Sequence, residues 1–97
     1  MLITVLMSVY NGEKYLNESI RSVLTQSYSD FEFVIVDDCS NDKTIEIVES
    51  FNDPRIKLLR NESNLGLSAS LNRGIKSSSG KYIARHDDDD ISHINRL

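Results

Sequence analysis

The chain has 97 residues, of which 39% are hydrophobic and 27% charged, the composition of one small globular domain rather than of a disordered chain. It carries 11 Lys and Arg residues against 15 Asp and Glu residues, and a net charge of −4 argues against a basic nucleic-acid-binding surface. The single cysteine, Cys39, excludes a disulfide scaffold, and no apolar run approaches the ~20 residues of a membrane span.

The first half of the chain predicts two strands that alternate with two helices. Residues 3–9 are a β-rich apolar run, and Asn11 is the predicted N-cap of a helix whose apolar residues recur about every four positions as far as Leu24. Residues 31–36 predict a second strand, which is apolar on consecutive positions and therefore expected to be buried on both faces of a parallel sheet. Residues 40–42 can cap a second helix.

The second half of the chain repeats this alternation. Residues 56–59 predict a third strand, and Leu67 begins an apolar stripe of helical period. Gly80 is the predicted left-handed stop of that helix, and residues 81–85 predict a fourth strand. The pattern β-α-β-α-β-α-β predicts the α/β class, with a Rossmann-like, doubly wound parallel sheet in the strand order 3-2-1-4.

Polar residues follow three of the four predicted strands. Tyr10 and Asn11 come after the first, Asp37 and Asp38 after the second, and the run Asp87–Asp90 after the fourth. Ligands of such sheets bind outside the carboxyl ends of the strands, so these side chains are expected to share one pocket. Carboxylate oxygens suit hard cations such as Mg²⁺ or Mn²⁺, which complete their coordination with water and phosphate oxygens.

Two other interpretations of the acidic residues are open on these patterns alone. A metal-binding signalling or phosphoryl-transfer domain also places acidic pairs at strand ends, although it needs a lysine near another strand end, and Lys81 lies at the start of its strand. A non-catalytic interaction module would leave the acidic run solvated.

Several segments match one known family in order and spacing, namely residues 5–11, 20–27, 30–44, 64–67, 72–75 and 80–85, followed by Asp87–Asp90. The chain resembles the nucleotide-sugar-binding N-terminal part of family 2 glycosyltransferases with the GT-A fold, and the acidic run resembles their DXD motif. Cys39 stands where many members have glycine.

The resemblance implies a role for each matched residue. The expected nucleotide-binding residues are Ser8, Tyr10, Asn11, Asp37, Asp38, Asp87 and Asp88. Among them, Asp38 is expected to face the base. Asp89 and Asp87 are the expected ligands of Mg²⁺ or Mn²⁺. The implied activity is transfer of a sugar from a nucleoside-diphospho-sugar, and a UDP-sugar is the favoured donor. Nucleic acid is not an expected partner, and no membrane segment is expected in this chain.

Members of the family are usually much longer than this chain. Residues 1–97 are therefore expected to be a single nucleotide-diphospho-sugar-binding subdomain, truncated after the DXD motif. No catalytic residue is assigned within it, because the general base of inverting members is expected beyond Leu97. An uncovered sheet edge predicts self-association into a homo-oligomer. The expected location is cytoplasmic, with the parent enzyme at the inner face of the membrane in cell-envelope polysaccharide synthesis.

Overall fold

Strands and helices alternate strictly along the chain. The computed structural model describes residues 3–26, 30–80 and 82–85. Their elements are, in chain order, β1 (Ile3–Val9), α1 (Leu16–Leu24), β2 (Phe31–Asp37), α2 (Thr44–Ser50), β3 (Ile56–Arg60), α3 (Leu67–Ser77) and β4 (Tyr82–Arg85). The predicted β-α-β-α-β-α-β succession is confirmed, and the strands begin and end within one residue of their predicted bounds.

The four strands form one parallel sheet in the order β3-β2-β1-β4, as predicted. Val9 at the end of β1 pairs with Asp37 at the end of β2, and Asp37 pairs in turn with Arg60 at the end of β3. The carboxyl ends of these three strands therefore finish level with one another at the same edge. Arg85, the last residue of β4, pairs with Leu6 of β1.

The central strand β2 is buried on both faces, because helices cover the sheet from both sides. Val34 and Val36 pack with Leu6 on the face that α3 covers. The opposite face carries the larger core, which α1 and α2 cover and whose buried members are Val5, Met7, Val9, Leu16, Ile20, Val23, Phe31, Phe33, Ile35 and Val48. Alternation along β2 therefore turns residue 37 toward the face of α1 and α2.

The predicted capping role of Asn11 is wrong. Helix α1 begins only at Leu16, and its cap position is Tyr15, which makes no side-chain capping hydrogen bond. Asn11 has a φ of 51°, the left-handed region that asparagine tolerates better than most residues. Its side chain instead accepts the N–H of Asn41 at 2.9 Å and so joins two loops.

The predicted left-handed stop at Gly80 is also wrong. Helix α3 ends at Ser77, and the next residue, Ser78, is extended with φ −78° and ψ 147°. Gly66, just before the helix, is the glycine with a positive φ among the described residues. Gly80 is needed for a different reason, since its backbone lies against Thr4, whose hydroxyl accepts the Gly80 N–H at 2.9 Å.

Strand β4 lies at one end of the sheet. Within the described part of the chain its strand neighbour is β1, and its residues Tyr82 and Ile83 are exposed. Self-association through this edge stays a prediction. None of the helices described has the length and hydropathy needed to cross a lipid bilayer.

Candidate functional site

The loops that follow β1 and β2 are fastened to each other. The N–H of Asn11 donates to Ser40 Oγ at 2.8 Å, and the N–H of Gly12 donates to Thr44 Oγ1 at 3.0 Å. Tyr10 stands 49% exposed at the start of the first loop. The structure therefore brings the predicted residues Tyr10 and Asn11 close to the segment after β2.

Asp42 contributes to the same contact between loops. Its Oδ1 accepts the N–H of Thr44, the first residue of α2, at 2.9 Å. The cap position of this helix is Lys43, one residue beyond the predicted segment 40–42, and it makes no side-chain capping hydrogen bond. Asp42 Oδ2 accepts the N–H of Glu13 at 3.3 Å. Burial opposes ionisation of this carboxyl, but the hydrogen bonds from Thr44 and Glu13 outweigh it, and the pKa of Asp42 is lowered.

Asp37 is fully buried at the end of β2, on the face of α1 and α2. Its Oδ2 accepts the N–H of Ser40 at 3.2 Å and lies 3.7 Å from Nε of Arg60. Its Oδ1 is buried and has no hydrogen-bond partner among the described residues. A buried carboxylate oxygen without a partner is costly, and this atom lies at the carboxyl end of β2, shielded from solvent.

Asp38 is turned to the other face of the sheet and is only 4% exposed. Its Oδ1 accepts from Asn61 Nδ2 at 2.9 Å and from the N–H of Leu65 at 2.7 Å. Its Oδ2 accepts the N–H of Gly66 at 3.0 Å, and the Ser70 hydroxyl also bonds to the carboxylate. The side chain thus joins the end of β2 to the whole loop between β3 and α3.

Opposing effects set the ionisation of Asp38. Burial alone would raise the pKa of this carboxyl, because it penalises the charged form. The backbone N–H groups of Leu65 and Gly66, the amide of Asn61 and the hydroxyl of Ser70 all donate to the carboxylate, and together they lower the pKa below its usual value. Asp38 is therefore an anion at neutral pH, held in one position by donors of the protein itself.

A pocket of about 360 Å³ opens beside this network, and the sequence pattern did not indicate it. Its lining residues are Arg60, Asn61, Glu62, Ser63, Leu65 and Arg73. Asn61 follows β3 directly, just as Asp38 follows β2, so a polar residue at a third strand end was the available signal. Nothing in the sequence pattern indicates that Arg73 lines the pocket, because this residue lies within α3 and not at a strand end.

The other predicted site residues divide into two groups. Ser8 is half-buried on β1, level with Val36 of β2, and so lies near the strand ends that carry Tyr10 and Asp38. Asp87, Asp88 and Asp89 lie outside the described residues. Within the ranges that the structure describes, no three His, Cys, Asp or Glu side chains are grouped closely enough to hold a metal ion.

A comparison with known protein families assigns this chain to one family. The family model described as "Glycosyl transferase family 2" matches residues 4–97. The chain belongs to glycosyltransferase family 2. This membership favours the nucleotide-sugar interpretation of the acidic strand ends over the phosphoryl-transfer and interaction-module alternatives, and it agrees with the resemblance seen in the sequence.

Curated relatives of this chain are named glycosyltransferases. The Bacillus subtilis protein EpsE is 44% identical over 98 residues, covering 98% of this chain and 35% of the relative. An Escherichia coli protein, "UDP-Glc:alpha-D-GlcNAc-diphosphoundecaprenol beta-1,3-glucosyltransferase WfgD", is 43% identical over 96 residues, covering 99% of this chain and 38% of the relative. The family 2 chain thus spans little more than a third of the length of these proteins.

Solved structures with the GT-A fold superpose closely on the chain. S. aureus TarS 1–349 in complex with UDP gives a TM-score of 0.92 at 34% identity, covering 98% of this chain and 29% of that 1–349 chain. A mannosyltransferase from Pyrobaculum calidifontis in complex with GDP-Man and Mn²⁺ gives 0.83 at 26% identity, covering 90% of this chain and 27% of that protein. The GT-A assignment of the sheet is confirmed by these neighbours.

Proposed function

We propose that this chain is the donor-binding part of a glycosyltransferase that takes a nucleoside-diphospho-sugar. The observation that carries the proposal is the convergence of Tyr10, Asn11, Asp37 and Asp38 at the carboxyl edge of the sheet in a chain that belongs to family 2. Ligands of open α/β sheets bind outside this edge. The half-exposed side chain of Tyr10 and the exposed side chain of Asn11 stand at that edge.

A UDP-sugar is the favoured donor. The relative WfgD is named for transfer from UDP-Glc, and TarS has been crystallised with UDP and with UDP-GlcNAc. The neighbour that holds GDP-Man is less similar in sequence, at 26% identity. These similarities support uracil over guanine as the base, and the acceptor is proposed to be a lipid-linked or polymeric saccharide of the cell envelope.

The proposed nucleotide-binding residues are those predicted from the sequence, namely Ser8, Tyr10, Asn11, Asp37, Asp38, Asp87 and Asp88. The proposed metal ligands are Asp89 and Asp87, whose carboxylate oxygens are the donor type that Mg²⁺ and Mn²⁺ prefer. A divalent ion bound there would stabilise the negative charge of the departing nucleoside diphosphate. The Mn²⁺ in the Pyrobaculum calidifontis complex supports such an ion.

The transfer step itself is proposed to need residues outside these 97. Neither acidic residue at the end of β2 is assigned as the general base, because Asp38 is engaged by protein donors and Asp37 is fully buried. A general base must reach the hydroxyl within hydrogen-bond distance. An inverting outcome and a cytoplasmic location stay predictions.

Calorimetric titration of the chain with UDP, with and without Mn²⁺, tests this proposal. We expect UDP to bind in the presence of Mn²⁺ and to bind much more weakly after chelation. The variant Asp89→Ala should lose this metal dependence. Asp30→Ala is the matched control, because Asp30 is exposed and precedes β2, at the opposite edge of the sheet from the proposed site.

The same titration series can contradict the proposal. If neither UDP nor GDP binds the wild-type chain with Mn²⁺, the chain is not a donor-binding part. If Asp89→Ala retains the full metal dependence, the assignment of the metal ligand fails while the donor-binding role remains.

A further inference from the structure

A carboxylate on β2 reaches across β1 to the entrance of β4. Glu32 Oε2 accepts the hydroxyl of Thr4 at 2.9 Å and the N–H of Ser79 at 2.9 Å, with the Ser79 hydroxyl at 3.3 Å. The Thr4 hydroxyl oxygen in turn accepts the N–H of Gly80 at 2.9 Å. These four residues form a clamp, the β4 clamp, at the amino edge of the sheet, opposite the candidate site.

The hydrogen bonds of the β4 clamp run in one direction. Burial raises the pKa of Glu32, but hydrogen bonds from the Ser79 N–H and the Thr4 hydroxyl outweigh it, and the pKa is lowered. The side chain is therefore a carboxylate at neutral pH, and a carboxylate only accepts. Thr4 must donate its one hydroxyl proton to Glu32, which leaves only lone pairs for the N–H of Gly80. Because Thr4 is fully buried, losing these partners would be costly.

Side-chain burial gives β4 little help in selecting its register on β1. In the described part of the chain, three of its four residues are exposed and Ala84 is half-buried. The register of a strand is strongly specified where one face is buried, and a parallel strand keeps its hydrogen-bonding pattern and its faces after a slip of two residues. The β4 clamp holds the N–H groups of Ser79 and Gly80 just before the strand. It therefore supplies the constraint that burial does not.

The position at which β4 ends bears on the proposed function. Arg85 ends the strand opposite Leu6, and in the sequence only His86 separates it from the acidic run Asp87–Asp90. A slip of two residues moves the end of a strand by about 7 Å. The oxygen ligands of Mg²⁺ lie only about 2 Å from the ion. A metal site supplied by residues that follow β4 therefore depends on the register of this strand.

We propose that Glu32 and Thr4 are positioning residues. Through the β4 clamp they fix the register of β4 on β1, and with it the point from which the segment of the proposed metal ligands starts. Both residues lie near the amino ends of their strands and act on the site only through β4. The functional half of this inference rests on the proposed donor-binding function, whereas the register concerns the described strands alone.

Inter-strand nuclear Overhauser effects test the register directly. In the wild-type chain we expect contacts of Ile3 with Tyr82 and of Val5 with Ala84, the paired residues of β1 and β4. Thr4→Val replaces the hydroxyl by a methyl group and should abolish these contacts or displace them by two residues, while the contacts between β1 and β2 persist. Thr4→Ser keeps the hydroxyl and should retain the wild-type contacts.

Titration with UDP and Mn²⁺ measures the consequence at the site. Thr4→Val should weaken Mn²⁺-dependent UDP binding about 10-fold, a loss typical of removing residues that orient metal ligands, and Thr4→Ser should bind like wild type. Glu32→Met removes the acceptor of the clamp and should cause the same loss, with no further loss in the double variant Glu32→Met/Thr4→Val. Glu49→Met is the matched control, because it removes an exposed carboxylate from α2, on the opposite face of the sheet.

Each result decides one part of the inference. If Thr4→Val keeps the wild-type contacts between β1 and β4, the clamp does not set the register and the inference is overturned. If these contacts are lost and Thr4→Val still binds UDP with Mn²⁺ like wild type, the positioning role is overturned and donor binding stands. If the wild-type chain binds no UDP, the proposed function and the positioning role fail together, and the contacts still decide the register.

Folding of the variants is checked by the contacts between β1 and β2, which do not involve the clamped strand. If Thr4→Val loses these contacts as well, Glu32→Met carries both measurements, because Glu32 is only half-buried. Wild-type contacts between β1 and β4 in Glu32→Met would then overturn the inference.

Discussion

The buried carboxylate of Asp38 and the side-chain amide of Asn61 are joined by a hydrogen bond of 2.9 Å. This bond connects the residue after β2 to the residue after β3, across 23 positions of the sequence. The same carboxylate also accepts the N–H groups of Leu65 and Gly66 just before α3. The edge of the candidate site is therefore built as one polar unit, whose integrity affects both stability and binding.

Asp38→Ala should cost about 2–4 kcal/mol of unfolding free energy. The substitution leaves two partly buried N–H groups and one buried amide without an acceptor, and each such loss typically costs about 1–3 kcal/mol with partial compensation by water. Urea denaturation followed by circular dichroism measures the change. The control Asp30→Ala alters an exposed aspartate and should stay within about 0.5 kcal/mol of wild type. Equal stability of both variants would show that the network contributes nothing.

Stability should fall as the solution becomes acidic, and Glu32 should contribute to the fall. Burial would raise the pKa of this carboxyl, but hydrogen bonds from the N–H of Ser79 and the hydroxyl of Thr4 outweigh it, and the pKa is lowered from 4.5. A folded-state pKa below the unfolded value means that the unfolded chain binds more protons, so the contribution is present above about pH 4.5 and is lost below it.

Glu32→Gln provides the measurement for this carboxyl. Its unfolding free energy should decline less steeply than that of wild type as the pH is lowered from 5 to 3, since the variant has no carboxyl to protonate at this position. Asp38→Ala should show the same flattening at lower pH, below the ordinary value of 3.8. Slopes that match wild type in both variants would contradict the lowered pKa values.

The order of strands and helices was predictable because each element has a recognisable pattern of apolar residues in its own segment of the sequence. Apolar runs such as 31–36 have the length and composition of strands, and their regular alternation with helical periods leaves few topologies. The positions of Asn11 and Gly80 were mispredicted, since both residues are common at helix ends and nothing local indicates the tertiary contacts with Asn41 and Thr4 that fix them instead.

The candidate site was predictable only in part. The pairs Tyr10–Asn11 and Asp37–Asp38 are visible because polar residues interrupt the sequence directly after apolar strands. The partners Asn61, Leu65 and Gly66 of Asp38 are 23 to 28 positions away, and single-sequence periodicity carries no information on such distant contacts. The pocket wall formed by Arg73 was missed for the same reason.

Cys39 is held in the left-handed region, and its replacement should reveal the cost. Its φ is 63°, and this conformation is unfavourable for residues with a side chain by about 1–2 kcal/mol. Cys39→Gly removes the strain but adds freedom to the unfolded chain, so we expect a gain of up to about 1 kcal/mol in thermal or urea unfolding.

Two further variants separate the backbone effect at position 39 from the thiol contact. Cys39→Ala keeps the strained backbone and loses only the weak Sγ contact with the Glu62 carbonyl at 3.6 Å, so it should resemble wild type. Cys39→Val adds a β-branched side chain, which tolerates this region least, and should be the least stable of the series. A glycine variant that is less stable than the alanine variant would contradict the role of strain.

Gly80→Ala should destabilise the attachment of β4. An added Cβ would overlap the Thr4 hydroxyl, approach the Thr4 backbone nitrogen to 2.5 Å and lie 2.8 Å from the carbonyl carbon of Ile3. Because two of these atoms belong to the backbone of β1, the strands must separate, and we expect a loss of about 2–3 kcal/mol.

Gly74→Ala is the informative comparison, since its Cβ would meet the flexible end of Leu6 and alanine favours the helix by about 1 kcal/mol. Urea unfolding should therefore rank Gly80→Ala well below Gly74→Ala, and hydrogen exchange in Gly80→Ala should accelerate first at Ile83 and its β4 neighbours. The reverse ranking would mean that the contact between Gly80 and β1 does not hold the fourth strand in place.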